Sequence, residues 1–137
     1  MAGTARTKAR KRALDLLYAG EARGVSAVEM LEEAIAAGEQ PTNPYTATLV
    51  RGVVAEQAPI DELLTRYSEG WSLERMPAVD RNVLRLAVWE MLYAEDIPAH
   101  VAVSEAVALV RDLSTDESPG FVNGVLSAIE RDQPTLA

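Results

Sequence analysis

Residues 78–93 set the hardest constraint on the fold. Val79, Val83, Leu84, Leu86, Val88, Trp89, Met91 and Leu92 surround a helix at 100° per residue almost completely. Such a segment has no broad face to give to water, so other elements must cover it on nearly every side. That cover is helical too, because alanine and leucine are abundant and no stretch sustains a period-2 alternation. The expected fold class is all-α: two small helical bundles, about seven helices with ends placed to within ~2–4 residues, packed as one compact domain. A length of 137 residues suits one domain over 1–137, with an N-terminal subdomain 1–58 and a C-terminal subdomain 59–137.

Local signals divide the chain into those helices. The first runs over residues 8–19 and ends at Gly20, with Ala9, Ala13, Leu16, Leu17 and Gly20 on one side. Ser26 and Glu29 form a capping-box pattern for a second helix that stops at Gly38. Asn43 caps a third, with Pro44 at its first position and Val50, Val53 and Val54 on its apolar face. Pro59 kinks or ends that helix, and helical spacing resumes over residues 60–67. After the central helix, Ile97-Pro98 marks a turn, and Val103, Ala106, Val107, Val110 and Leu113 make one face of the next helix. Ser118-Pro119 reads as a cap and first turn of a last helix with Phe121, Val122, Val125 and Ile129 inside. Residues 38–43 are the first choice for a boundary between bundles, and residues 59–71 the competing one.

The available side chains exclude most chemistry. With no cysteine there is no disulfide, thiolate nucleophile or cysteine-ligated metal site. His100, the only histidine, follows Pro98 at a helix start and reads as a surface or capping residue. No GxxxxGK[ST] or GxGxxG loop and no calcium-loop pattern occurs, and acid pairs such as Glu32-Glu33 read as solvated faces. The expectation is a non-enzyme without cofactor or metal. No apolar run approaches the ~20 residues of a membrane span. Asp15 and Glu21 interrupt what would otherwise mimic a signal peptide, and a cytoplasmic location is expected.

Charge is distributed unevenly. The chain has 13 Lys+Arg against 21 Asp+Glu, a net of −8. Residues 1–12 hold five cations (Arg6, Lys8, Arg10, Lys11, Arg12) and no acid, which leaves eight cations against all 21 acids elsewhere, a net of −13. A basic tip on an acidic body calls for two kinds of partner. Cations at a helix N-terminus oppose the macrodipole at about 0.3–1 kcal/mol each, so structure alone would favour acids there. On a helical wheel Lys8, Lys11, Arg12, Asp15 and Tyr18 share the side opposite Ala9, Ala13 and Leu16. Cations beside an exposed aromatic suit single-stranded nucleic acid, with phosphates on the cations and a base on the ring. Arg6 and Arg10 fall toward the apolar side and are expected on a fraying first turn or tail. Five phosphate contacts would give a salt slope of about −3.5.

Three further segments complete a pattern: VDRNVLRLAVWE at residues 79–90, DIPAHVAVSEAVAL at 96–109 and ESPGFVNGVL at 117–126. With the basic N-terminus and the run ALDLLY at 13–18, the chain resembles the NusB family of bacterial transcription antitermination factors over nearly its whole length. The resemblance implies an all-helical, non-enzymatic protein that binds boxA RNA of ribosomal RNA leaders. It implies a heterodimer with a small-subunit ribosomal protein, NusE, acting with other Nus factors on elongating RNA polymerase. It carries RNA binding onto Arg6, Lys8, Arg10, Lys11, Arg12 and Tyr18, and onto Glu117 and Phe121 in the second segment of the RNA surface. It carries ribosomal-protein contacts onto Glu74 and Asp80. Thr7 interrupts the arginine run, and Pro119-Gly120 replaces a usually more polar pair, so the cationic field is weaker than usual for the family.

Two readings stay open from the residues. Arg81 and Arg85 are either an RNA patch or partners of bundle acids. Phe121 either packs in the core or contacts a base. Asn123 is read as satisfying a loop carbonyl and Gly124 as permitting close helix approach. Tyr18 and Leu14, both taken as exposed, are expected to seat a second copy in a homodimer. The rival functions are a protein-only acidic adaptor and the RNA-binding front end of an rRNA methyltransferase. The second would need a cofactor domain and a nucleophilic cysteine.

Overall fold

The computed structural model describes residues 4–136, with side chains through 133. Among these residues there are seven α-helices, one 3-10 turn and no strand. One unit holds α1 (Ala5–Arg23), α2 (Ala27–Ala36) and α3 (Pro44–Ala55) and ends at Glu56. A second starts at Gln57 and holds α4 (Gln57–Tyr67), the 3-10 turn Leu73–Arg75, α5 (Ala78–Tyr93), α6 (Ala99–Leu113) and α7 (Ser118–Leu136). The first unit has seven cations and seven acids; the second has six cations and fourteen acids and so carries the entire net charge of −8.

In the first unit α1 is longer at both ends than its sequence pattern predicts. Thr4 caps it, its Oγ1 accepting from the Thr7 amide at 3.1 Å, so Arg6 is helical rather than on a tail. Gly20 does not end it. A Cβ there would lie 2.8 Å from the Val25 carbonyl oxygen and 3.1 Å from the Ala27 nitrogen, so Gly20 is the place where the start of α2 presses on α1. The stop is Gly24, at φ 71°, whose amide donates to the Glu21 carbonyl. Ala9, Ala13, Leu16 and Leu17 are buried as expected, but so is Leu14, at 2% exposure. Both α2 and α3 pack on α1, which widens its apolar face and removes Leu14 from any surface for a second copy.

The Asn43 cap holds: its Oδ1 accepts from the Tyr45 amide at 2.9 Å, with Pro44 in the first turn. Asn43 Nδ2 donates to the Ala5 carbonyl at 3.3 Å, and the buried Thr46 hydroxyl donates to the Ala9 carbonyl at 3.0 Å. These two bonds tie the start of α3 to the first turns of α1. The break after α3 falls at Glu56 rather than at Pro59, which sits in the first turn of α4 where an amide would have no helical acceptor.

In the second unit α5 is the centre, as its all-round apolar pattern requires: α4, α6 and α7 all pack against it. Val83, Leu84, Leu86, Ala87, Val88 and Met91 are buried, and so are the polar Asp80, Asn82 and Glu90. Arg85 reaches back to α4 and grips Asp61 with two bonds of 2.8 and 2.9 Å, and Arg81 donates to the carbonyls of Leu73 and Met76, holding the 3-10 turn. For Arg85 the pairing with a bundle acid is the geometry found, while Arg81 bonds to main-chain carbonyls. On α6, Ala102, Val103, Ala106 and Val110 are buried, while Leu113, in the last turn, runs past the packed region and is exposed.

Candidate nucleic-acid interface

The basic tip separates into distinct environments. Lys8, Lys11, Asp15 and Tyr18 are exposed on one side of α1, with Tyr18 at 47%. Lys11 pairs with Asp15 at 3.7 Å, one turn on. Arg6 and Arg10 do not occupy a fraying segment. The Arg6 guanidinium lies over the Tyr45 ring, 4.4 Å from its centroid, and that of Arg10 lies 6.0 Å from it. Arg10 is only 4% exposed. The expectation that its side chain reaches out to a ligand is therefore corrected: α3 brings an aromatic ring to the side of α1 on which the helical wheel places these arginines. Tyr45 is a residue that sequence reasoning missed; its one signal was its place just after the Asn43-Pro44 cap.

Lys8 and Arg12, one turn apart, line a groove of about 480 Å³ whose other wall is residues 40–44. Their charged ends make no ion pair or hydrogen bond among the described residues.

The second unit holds the other predicted residues. Glu117 is exposed and its carbonyl accepts from the Phe121 amide, starting α7. Phe121 is half-buried, edge-on to Trp71 with ring centroids 4.7 Å apart. It lines an open cleft of about 520 Å³ together with Arg66, Tyr67, Gly124 and Arg131. Part of Phe121 thus packs on Trp71, and part lines the cleft. A Cβ added at Gly124 would meet nothing within 4 Å, so this glycine opens the cleft rather than allowing helices to meet. Asn123 is exposed and accepts from Ser127 one turn on, in place of the expected loop carbonyl. At the far end of the cleft the Tyr67 hydroxyl donates to Asp132 at 2.7 Å. Hydrogen bonds from Arg131 and Tyr67 pull the Asp132 carboxyl down to about 2, and the same bond raises the Tyr67 phenol above its usual value.

Of the two acids expected to meet a basic protein, Glu74 is exposed in the 3-10 turn. Asp80 is corrected. It is 0% exposed, and its two oxygens accept from the hydroxyls of Ser114 at 2.6 Å and Ser118 at 2.8 Å. Ser118 is buried with it, and its Oγ also accepts from the Thr115 amide. Asp80 therefore fastens the start of α5 to the α6–α7 junction. Ser118 belongs to that cluster rather than to a simple cap.

Fold and site together define an all-helical protein with a cationic, aromatic-bearing first helix and an acidic second unit. The sequence profile of the NusB family matches residues 7–131. The transcription antitermination protein NusB of a Nocardioides species is 70% identical over 98% of this chain and 99% of its own, and that of an Arthrobacter species is 54% identical over 97% and 98%. The structure of Thermotoga maritima NusB superposes with a TM-score of 0.84 at 34% identity, covering 96% of this chain and 94% of that one. NusB in a crystal structure of the antitermination factors NusB and NusE with double-stranded RNA gives 0.79 at 29% identity, over 92% and 96%. The chain belongs to the NusB family.

Proposed function

We propose that the protein is a non-enzymatic, cytoplasmic transcription antitermination factor. It binds boxA-type leader RNA of ribosomal RNA operons, pairs with the small-subunit ribosomal protein NusE and, with other Nus factors, modifies elongating RNA polymerase. The observation that carries the RNA part is the exposed side of α1: unpaired Lys8 and Arg12, with Lys11 and the Tyr18 ring on the same helix. Cations hold phosphates without reading sequence, and an exposed ring accepts a stacked base. In the second unit Phe121 and Arg66 line a cleft with Arg131, whose guanidinium is paired with Asp132, and Glu117 lies four residues before Phe121. Arg6 and Arg10 act by positioning Tyr45 and the helix start. The acidic second unit, with Glu74 exposed on it, complements a basic ribosomal protein, and Asp80 supports that surface from within. The support from relatives is the NusB–NusE–RNA assembly.

The test is RNA binding across a salt series with the ribosomal partner present. Replacing Lys8, Lys11 and Arg12 by glutamine should weaken binding by roughly tenfold or more and flatten the salt dependence. Unchanged binding would favour the second reading, an acidic adaptor for which the charge of the second unit speaks. Truncating residues 1–12 is the wrong test, because Ala9 and Arg10 lie in the core.

A further inference from the structure

A groove of about 440 Å³ runs between α6 and α7 in the second unit. It is separate from the cleft at Phe121, which lies on the other side of α7. At 100° per residue, Asn123, Ser127 and Glu130 stand roughly 180–240° around the helix from Phe121. Four residues link α6 to α7, so the two helices run antiparallel. Arg111 and Asn123 therefore sit at one end of the groove, and His100 and Glu130 at the other. With a rise of 1.5 Å per residue the ends are about 15 Å apart, too far for Arg111 and Glu130 to pair within one chain. Neither has a hydrogen-bond or ion-pair partner among the described residues. Besides His100, the lining holds no other ionisable group. The middle is neutral and low: Ser104 and Ser127 are short, and Val107 is half-buried. A cation at one end and an acid at the other make the groove complementary to itself. Turned about a two-fold axis through the middle, a second copy brings its acid to the cation and its cation to the acid, so both charges find partners at once.

We infer that this groove is a contact surface for a second copy of the chain, with α6 and α7 of one protomer lying two-fold against those of the other. Arg111 pairs with the partner's Glu130, and Glu130 with the partner's Arg111. Val107 packs near the axis, where Ser104 and Ser127 leave room for close approach. The face is small: eight residues a side fall short of the ~20–30 of a standard interface, so the dimer is transient and forms at high concentration. The inference stands apart from the RNA reading. It places self-association on the second unit instead of α1, where Leu14 is buried.

The experiment is sedimentation velocity of the full chain from about 10 μM to 1 mM. The native chain should pass from monomer toward dimer over that range, and less so at high salt. Arg111→Glu and Glu130→Arg each set like charges against each other at both contacts, so each variant alone should dimerise roughly tenfold or more weakly. Mixed in equal amounts, the two variants regain opposite charges at both contacts and should form a heterodimer at about native affinity. The double variant, with both changes in one chain, should likewise dimerise as the native chain does. Recovery on mixing requires that both single variants are folded, so it separates lost contacts from lost structure. A native chain that is still monomeric at about 1 mM overturns the inference. So does association that the single variants leave unchanged, or that mixing does not restore. If the native chain stays monomeric while Arg111→Glu weakens binding of the ribosomal partner or of a boxA-type oligoribonucleotide, the groove belongs to that ligand and the inference is overturned as well.

Discussion

Replacing Asp80 by alanine should cost the second unit much of its stability. The carboxylate is fully buried and accepts two short hydroxyl bonds, of 2.6 and 2.8 Å, from residues 34 and 38 positions away. It also lies in the first turn of α5, where a negative charge is favoured. Hydrogen bonds to a charged group contribute about 1.5–3 kcal/mol each, and truncation also relieves the burial of a charge. A loss of about 3–5 kcal/mol follows, a large part of the ~5–15 kcal/mol that holds a typical domain together. For a chain of this size it corresponds to a fall in the thermal midpoint of roughly 10–15 °C. Asp80→Asn keeps one acceptor but turns an amide N–H₂ toward the other hydroxyl, so its loss should be smaller, about 1–3 kcal/mol. Urea titration followed by circular dichroism measures both, and a pulldown with the ribosomal partner follows the folded Asp80→Asn protein. A wild-type midpoint for Asp80→Ala, or a folded Asp80→Asn that has lost its partner while Glu74→Lys keeps it, would refute the assignment of Asp80 as an internal fastening.

Other perturbations have equally definite outcomes. Arg85→Ala breaks a two-bonded pair with Asp61 whose side chains are 11% and 27% exposed; a loss of about 2–3 kcal/mol should appear in urea, and Arg85→Lys should recover only part of it because an ammonium cannot reproduce the fork. Gly20→Ala puts a methyl group 2.8 Å from the Val25 carbonyl oxygen. The helix-propensity gain of about 1 kcal/mol should be outweighed by crowding of about 1–3 kcal/mol, and a raised melting temperature would show that the α1–α2 junction yields freely. The Asp132 carboxyl, lowered to about 2 by Arg131 and Tyr67, favours the folded state at pH above its unfolded value near 3.8, and that contribution is lost as pH falls toward 2. Asp132→Asn should therefore flatten the acid limb of stability against pH between about 4 and 2, and an unchanged limb would contradict the pairing.

The elements were legible in the sequence wherever the signal was local. The Asn43-Pro44 start needs only residues 43–45, and the all-round apolar pattern of α5 states its own central position. What escaped depended on residues far apart in the chain. Gly20 looks like a stop, and only the arrival of Val25 and Ala27 shows that it is a contact point. Asp80 looks like a surface acid at a helix start until α6 and α7 bring Ser114 and Ser118 to it. In the candidate site, the side of α1 bearing Lys8, Lys11 and Tyr18 was readable from helical periodicity. The pairing of Arg6 and Arg10 with Tyr45 was not, because periodicity gives the direction of a side chain and not its neighbour.

The division of charge between the two units also has a kinetic consequence. An RNA at a distance meets a molecule of net −8, and only at short range does it meet the unpaired cations of α1. At low ionic strength the screening length, about 30 Å at 0.01 M, lets the repulsion of the acidic unit act first and slows encounter. Raising the salt to about 0.1 M shortens that length to ~10 Å and removes the long-range barrier while also loosening the phosphate contacts. Association and dissociation should therefore both accelerate over that range, and the residence time of the RNA should fall faster than its affinity.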